Sequence, residues 1–211
     1  MKQKKLFRIN PYLKELETEI IDTKDGFILP KETIIFCFSG GQESDTGYIN
    51  NHKIIECKWE NNEILYRVEE LDLKKGDKIT MKIDWEKRYK LMRLHSAAHI
   101  VYFIFKEMTD YTNIIGSNVS SNKARLDYLC DENIKKYIEE LEKRVNEFIK
   151  EGHTIIMKED ENNKEIMHWV CENYDMLCGG THVKNTKEIG YVKLKRVNIG
   201  KGKERIEIYV N

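Results

Sequence analysis

The hydrophobic and polar positions of the first 84 residues follow a pattern of short strands and turns. Polar and apolar residues alternate with the two-residue period of β-strands over residues 16–23, and short apolar runs rich in β-branched residues follow. These runs cover residues 33–38, 48–49, 54–59, 64–68 and 78–83. Turn-forming pairs such as Asp25-Gly26 and Asn61-Asn62 separate them. Several short strands at this spacing predict a small β-barrel domain over residues 1–84.

From Asp84 onward the hydrophobic period lengthens to that of a helix. Apolar residues recur at three- and four-residue steps over residues 85–108, and Asp84 is placed to cap this helix. An apolar stripe predicts a second helix between a cap at Asp131 and a stop at Gly152. Shorter patterns predict strands over 154–157, 190–197 and 204–210 and a short helix over 162–169. The fold class is therefore α+β, with the small β-barrel domain followed by an α+β domain over residues 85–211.

Composition describes a folded protein without a strong charge bias. Of the 211 residues, 40% are hydrophobic, and 36 Lys plus Arg balance 36 Asp plus Glu. A nucleic-acid partner would therefore have to be recognised by local basic patches. No apolar run is long enough to span a membrane, and the basic N-terminus is not followed by the apolar core of a signal peptide. We expect a cytoplasmic protein.

The five cysteines are an odd number without regular spacing, which argues against a disulfide framework. We interpret Cys37, Cys57, Cys130 and Cys171 as small, free hydrophobic residues. Cys178 differs, because two glycines and a histidine follow it closely.

Two pairs of metal-binding residues have the same four-residue spacing. His95 and His99 fall one turn apart on the first predicted helix, and Cys178 and His182 flank Gly179-Gly180 in a predicted tight loop. Each pair alone is weak evidence, and the metalloprotease motif is excluded because Ser96 rather than Glu follows His95. Together, three imidazoles and one thiolate form a complete tetrahedral zinc set. The other histidines have no partner spacing, so we interpret them as structural or exposed.

A glycine-rich stretch covers residues 39–47 inside the barrel region. It fits a long polar hairpin loop, and equally a segment whose backbone approaches a ligand closely. It is not a phosphate-binding loop, because no Gly-Lys-Ser/Thr follows.

Four blocks of residues, in order, resemble the free-standing AlaX proteins, which are relatives of the editing domain of alanyl-tRNA synthetase. They are the stretch 40–47, the helix-borne pair at 95–99, residues 115–117 with 125–128, and the segment 178–183. Segments 186–190 and 200–205 are similar to the closing part of that family. The resemblance runs from about residue 35 to the C-terminus and is specific.

The resemblance implies hydrolysis of the ester that joins serine, and in some members glycine, to the tRNA for alanine. The barrel with its glycine-rich motif matches the medium-length type, and the chain is expected to act in trans, since no room for a synthetase's other domains is evident. Zinc is the implied cofactor, held by His95, His99, Cys178 and His182, which also form the implied catalytic set. The implied substrate-binding residues are Gly40, Gly41, Gln42, Asp45, Gly47, Ser117, Gly179, Gly180 and Thr181.

Two positions depart from the synthetase pattern. Ala98 replaces a Thr just before the second histidine, and Ile114 replaces a Gln two residues before the Gly-Ser pair. Both changes remove hydrogen-bonding groups, so Thr181, Ser117 and Gln42 become the candidates for recognising the serine hydroxyl.

Several alternatives remain open. With four ligands, the zinc ion either has a labile ligand, expands its coordination, or only orients the substrate. Asp127 is predicted to be a structural partner of Arg125 rather than a base. The protein could also edit Ser-tRNA(Thr), or be a non-catalytic, zinc-stabilised tRNA-binding module.

Two basic clusters are predicted to bind tRNA phosphates rather than to be merely solvated. The first cluster lies at the start of the long predicted helix and contains Lys82, Lys87, Arg88, Lys90 and Arg93. The second cluster lies in the predicted C-terminal strands and contains Lys193, Lys195, Arg196, Lys201, Lys203 and Arg205.

Overall fold

The computed structural model describes residues 2–70 and 72–211, and these residues form two compact units. The first unit contains residues 2–39, 43–70 and 72–88. The second contains residues 40–42 and 89–211. Three residues of the glycine-rich stretch, 40–42, therefore belong to the second unit, although both flanking segments belong to the first.

The first unit is built from short strands around one core. Its elements are β1 (Lys4–Lys5), α1 (Leu6–Ile9), β2 (Glu15–Lys24), β3 (Phe27–Pro30), β4 (Glu32–Thr33), β5 (Gly47–Ile49), β6 (His52–Glu60), β7 (Glu63–Val68) and β8 (Lys78–Ile83). Six strands close on themselves in the order β2-β3-β7-β6-β5-β8, and β1 pairs with β4 in parallel. Ile20, Ile49, Ile64 and Tyr66 are completely buried inside.

The second unit combines helices with two antiparallel sheets. The helix α2 (Trp85–Thr109) begins at the end of the first unit, and the following elements are β9 (Ile114–Val119), β10 (Ala124–Leu129), α3 (Lys135–Glu151), β11 (Ile155–Glu159), β12 (Met167–Cys171), β13 (Tyr174–Leu177), a 3₁₀ helix (Thr186–Ile189), β14 (Val192–Gly200) and β15 (Lys203–Val210). One sheet has the order β14-β15-β10-β9 and the other β11-β12-β13. The mixed α+β prediction is confirmed.

Two of the predicted helix boundaries are confirmed, the start of α2 and the end of α3, and one is wrong. Asp84 caps α2, because its Oδ1 accepts a hydrogen bond from the Lys87 N–H at 3.1 Å. Gly152 ends α3 in the left-handed conformation, with φ of 89°. The predicted cap at Asp131 is wrong, since α3 begins after Ile134 and has no side-chain cap.

The short helix predicted over residues 162–169 is also wrong. The Asp160 carboxylate accepts hydrogen bonds from the N–H groups of Asn162 and Asn163, each at 2.9 Å, and bends the chain into a turn. From Met167 the chain continues as β12, whose side chains alternate between buried and half-buried. The pairing of β12 with β11 and β13 stabilises a strand that the local pattern did not reveal.

The apolar run at 33–38 forms less strand than predicted. Only Thr33 belongs to a strand, and Ile34, Ile35 and Phe36 are buried beyond its end. Their carbonyl groups accept hydrogen bonds from Arg88, from the Tyr66 hydroxyl and from the Asp45 N–H. These partners satisfy buried backbone groups that a sheet would otherwise have to pair.

Within residues 2–70 and 72–211, no helix has both the length and the apolar character needed to cross a membrane.

Candidate metal centre

The two pairs of metal-binding side chains meet in the second unit. His95 and His99 lie one turn apart on α2, and Cys178 and His182 lie on the loop between β13 and the 3₁₀ helix. Their ligand atoms all lie within 4.8 Å of one another. The Cys178 Sγ is 3.2 Å from the His182 Nε2 and 3.6 Å from the His95 Nε2. The fold therefore brings together two pairs of donors that lie about 80 residues apart along the chain.

The environment of this cluster fits a metal ion. The three imidazoles are buried, with exposed fractions of 8%, 8% and 1% for His95, His99 and His182. The His99 Nε2 is buried and has no hydrogen-bond partner among the residues that the structure describes. An unpaired polar atom in a protein interior is costly, and a cation bound between these donors would pair it. Three imidazoles and a thiol are also the donor types that zinc prefers.

Burial controls the protonation of the cluster. It lowers the pKa of His95 to about 4 and the pKa values of His99 and His182 well below the usual range. All three imidazoles are therefore neutral near pH 7, as metal ligands must be. Burial also raises the pKa of the Cys178 thiol to about 11. A bound divalent cation would oppose that shift, because coordination removes the thiol proton.

Hydrogen bonds from its own backbone hold the loop between Cys178 and His182 in place. Gly180 donates its N–H to the Cys178 Sγ at 3.4 Å, and Thr181 donates its N–H to the Gln42 Oε1 at 3.0 Å. The N–H groups of residues 180 and 181 therefore both have acceptors within the fold. The hydrogen bonds of these two N–H groups stabilise the loop itself.

Gln42 reaches the cluster from the short segment 40–42. Its Oε1 lies 2.7 Å from the His95 Nδ1, and its Nε2 donates to the Thr181 Oγ1 at 2.9 Å. The segment packs on β9, where the Gly41 carbonyl accepts the Val119 N–H at 2.8 Å. At Gly41, with φ of 83°, a Cβ would lie 2.8 Å from the Ser117 carbonyl oxygen. Glycine is required there, because no side chain fits.

The remaining predicted substrate residues have different surroundings. Ser117 is exposed on β9, whereas Thr181 is completely buried. In the first unit, Asp45 accepts hydrogen bonds from Arg88 and from the Phe36 N–H, and Gly47 packs against the Lys82 carbonyl. Contact with the substrate remains a prediction for every member of the set: Gly40, Gly41, Gln42, Asp45, Gly47, Ser117, Gly179, Gly180 and Thr181.

Asp127 is bound by two arginines. Arg125 pairs with it, as predicted, and Arg205 on the neighbouring strand β15 donates from Nε at 2.6 Å and from Nη2 at 3.0 Å. Burial would raise the pKa of Asp127, but Arg205 and Arg125 together hold it below the usual range. A carboxylate held this way is a poor base, which supports the predicted structural role.

Sequence reasoning missed two residues around the cluster. The Ser96 Oγ lies 3.1 Å from the His182 Nδ1 and accepts the Val183 N–H at 3.3 Å. The Trp169 ring lies beside His99, with centroids 4.9 Å apart. Ser96 could have been found, since it lies three residues before His99 and shares its helix face. Trp169 could not, because the local pattern predicts a short helix over residues 162–169 and the structure has a strand from Met167.

The basic clusters are less available for phosphates than their sequence indicated. Arg88 is completely buried against Asp45, so its proposed contact with a phosphate is wrong. Lys193, Arg196 and Arg205 form ion pairs with Glu142, Glu204 and Asp127. Lys90, Lys201 and Lys203 are exposed.

The sequence of the chain is similar to those of known proteins. The family described as "Threonyl and Alanyl tRNA synthetase second additional domain" matches residues 171–207. The alanyl-tRNA editing protein AlaX-M of Pyrococcus horikoshii is 35% identical, over 98% of this chain and 97% of that protein. This match extends through both units.

Synthetases are similar to this chain over only part of their length. The alanine--tRNA ligase of Methanococcus aeolicus is 36% identical over 96% of the chain, and that of Campylobacter jejuni is 32% identical over 92%. In both cases the chain spans 25% of the ligase.

Proposed function

The chain belongs to the AlaX family of alanyl-tRNA editing proteins, medium-length type, and from that premise we propose that it hydrolyses Ser-tRNA(Ala), and secondarily Gly-tRNA(Ala), at a zinc site. Its class is that of an aminoacyl-tRNA deacylase, which is a hydrolase. The observation that carries the proposal is the convergence of His95, His99, Cys178 and His182 in a buried cluster.

We propose that these four side chains hold the zinc ion. When bound, zinc would either lower the pKa of a water molecule or polarise the ester carbonyl. The chain's own contribution is to hold neutral imidazoles and a thiol in one place. Asp127 is paired with two arginines, so we assign no general-base role to it.

Recognition of serine requires a polar group that alanine would leave unpaired. An alanine-activating pocket cannot strongly reject an added hydroxyl, so a second hydrolytic site is needed. Ser117 is exposed, and Thr181 accepts a hydrogen bond from Gln42 and can still donate its own hydroxyl proton. We propose these two hydroxyls as the candidates for contacting the serine side chain.

Binding of tRNA(Ala) is proposed to use the exposed lysines Lys90, Lys201 and Lys203. Phosphate contacts by lysine release counterions, so affinity should fall steeply with salt. The paired arginines of the C-terminal strands would contribute less, because their charges are already balanced by carboxylates.

The decisive experiment measures the loss of serine from serine-charged alanine tRNA. Wild-type protein should hydrolyse the ester, and His95→Ala and Cys178→Ala should reduce the rate by orders of magnitude. Cys57→Ala is the matched control, since Cys57 is also half-buried but belongs to the first unit and not to the cluster.

Other substrates separate the alternatives. Preference for serine-charged threonine tRNA would assign the threonyl-type activity. Binding of tRNA and zinc without hydrolysis of any ester would leave only the non-catalytic module. Rapid hydrolysis of correctly charged Ala-tRNA(Ala) would contradict a proofreading role.

A further inference from the structure

Gln42 is a completely buried glutamine whose carboxamide lies between a proposed metal ligand and the loop that carries two others. We propose that Gln42 is a positioning residue: it fixes the proton of His95 on Nδ1, so that Nε2 faces the cluster, and it anchors the loop at Thr181. The inference rests on the proposed metal site and replaces the predicted role of Gln42 in contacting substrate.

The orientation of the carboxamide follows from a backbone group. A backbone N–H can only donate, and the Thr181 N–H points at one end of the Gln42 amide at 3.0 Å. That end must therefore be the oxygen. The opposite end is then the NH₂ group, which donates to the Thr181 Oγ1 at 2.9 Å. Thr181 thus determines an assignment that is otherwise ambiguous for glutamine side chains.

The orientation of Gln42 in turn determines the tautomer of His95. The Gln42 Oε1 can only accept, and it lies 2.7 Å from the His95 Nδ1. Nδ1 must therefore carry a hydrogen, which leaves the lone pair of a neutral ring on Nε2. Nε2 is also the nitrogen that lies 3.6 Å from the Cys178 Sγ. Metal-binding histidines commonly have their second nitrogen fixed by such an acceptor.

The same oxygen requires glycine at position 180. A Cβ built on Gly180 would lie 2.5 Å from the Gln42 Oε1 and 2.6 Å from the His95 Nδ1. The loop can approach the imidazole and the amide together only where no side chain intervenes. Gln42, His95 and the loop therefore form one packed arrangement, in which a single oxygen accepts two hydrogen bonds.

These contacts argue against a substrate role for Gln42. Both lone pairs of its Oε1 are used by the His95 Nδ1 and the Thr181 N–H, and its Nε2 already donates to the Thr181 Oγ1. His182 is held in a comparable way, since its Nδ1 lies 3.1 Å from the Ser96 Oγ. The Nδ1 atoms of His95 and His182 are thus both held by polar side chains of the protein, Gln42 and Ser96.

The test compares two substitutions by their metal affinity, measured by competition with a chromogenic zinc chelator. Gln42→Met keeps the length of the side chain but leaves the His95 and Thr181 donors unpaired. We expect it to weaken zinc binding by about 10- to 100-fold, as for other residues that support metal ligands. Gln42→Glu keeps an acceptor for both donors, so its zinc affinity should stay within about threefold of wild type.

Gln3→Met is the matched control. Gln3 is also a buried glutamine, and it pairs with the backbone of Pro30 and Ile64 in the first unit. Its substitution should lower the stability of the fold and leave zinc affinity unchanged. Equal losses for Gln42→Met and Gln42→Glu, or no loss with only a raised KM for tRNA, would overturn the proposal.

A measurement on wild-type protein covers the case in which Gln42→Met does not fold. Nitrogen-15 NMR of the metal-free protein should show the hydrogen of His95 on Nδ1, and a hydrogen on Nε2 alone would overturn the inference. The deacylation assay is read separately. Loss of zinc affinity in Gln42→Met together with an inactive wild type would contradict the proposed function while leaving the positioning role intact.

Discussion

At the scale of single residues, the cluster depends on groups that touch no metal. Gly180 leaves room for the Gln42 amide and the His95 ring. The side chains of Gln42 and Ser96 contact the Nδ1 atoms of His95 and His182, and Trp169 lies beside His99. Such neighbours orient ligands and set their basicity. The ligand types alone therefore describe only part of the site.

Gly180→Ala tests the space requirement. The added methyl would overlap the Gln42 Oε1 and the His95 ring, and overpacking of this kind costs about 1–3 kcal/mol. We expect zinc affinity to fall by roughly an order of magnitude or more, measured by the same chelator competition. Gly76→Ala is the control: its φ of 93° makes alanine strained there, so stability should fall, but nothing lies within 4 Å of a Cβ and the residue is outside the cluster, so zinc affinity should not change. Equal affinities for the two variants would show that the loop relaxes freely.

At the scale of elements, two polar arrangements hold the fold in place. His168 on β12 bridges Asp175 on β13 and Asp160 after β11, at 2.7 and 3.2 Å. The buried Arg88 at the start of α2 pairs with Asp45 and also donates to the carbonyls of Pro11 and Ile34. The His168 bridge joins neighbouring segments of one hairpin region, whereas Arg88 joins segments that are distant in sequence, and each arrangement makes a prediction.

The His168 bridge predicts pH-dependent stability. Hydrogen bonds to Asp175 and Asp160 raise the pKa of His168 above its usual value. Its stabilising contribution is therefore complete below about pH 6.5, the unfolded value, and is lost as pH rises through the folded pKa. Urea unfolding of wild type and His168→Gln should differ more at pH 5.5 than at pH 8.5. A difference that grows with pH would contradict this assignment, and His52→Gln is the control.

The Arg88–Asp45 pair predicts a structural role for Asp45. Asp45→Asn leaves a buried guanidinium without its counter-charge, which should cost about 3–5 kcal/mol in the free energy of unfolding. The double variant Asp45→Asn with Arg88→Met should recover part of that loss, since no buried charge remains. Urea unfolding measures both. An unchanged stability combined with a raised KM would instead support substrate binding by Asp45.

At the scale of the whole molecule, all proposed metal ligands belong to one compact unit. His95, His99, Cys178 and His182 lie in the second unit, and so does the segment 40–42 that carries Gln42. Binding to a folded site stabilises that site by mass action, by about 2.7 kcal/mol at a free ligand concentration 100 times Kd. The stabilisation should be confined to the unit that holds the ligands.

Removal of zinc is therefore expected to increase hydrogen exchange mainly in the second unit. Hydrogen exchange with and without a chelator should show faster exchange in segments 40–42 and 89–211 on zinc removal, and little change in β2, β3, β6 and β7. Equal loss of protection in both units would contradict this expectation. The amide hydrogens of His99→Ala should exchange at the rates of the chelator-treated wild type, and added zinc should not slow them.

The sequence by itself determined the features that depend on local spacing. Apolar periodicity located both long helices, Asp84 capped the first, and a four-residue step placed His95 and His99 on one face of α2. Side chains one helical turn apart must point the same way, so their proximity needs no tertiary information. The mixed α+β class was also predicted correctly, because the periods of strands and helices are local features of the sequence.

Only the tertiary structure decided what depends on distant contacts. The Cys178 and His95 side chains are 83 residues apart, and Gln42 reaches Thr181 across 139 residues. Pairing with two neighbours made residues 167–171 a strand, and burial of Arg88 withdrew a cation from the surface. Long-range packing and burial have no local period, so the role of Gln42 beside His95 emerged only when the folded chain brought them together.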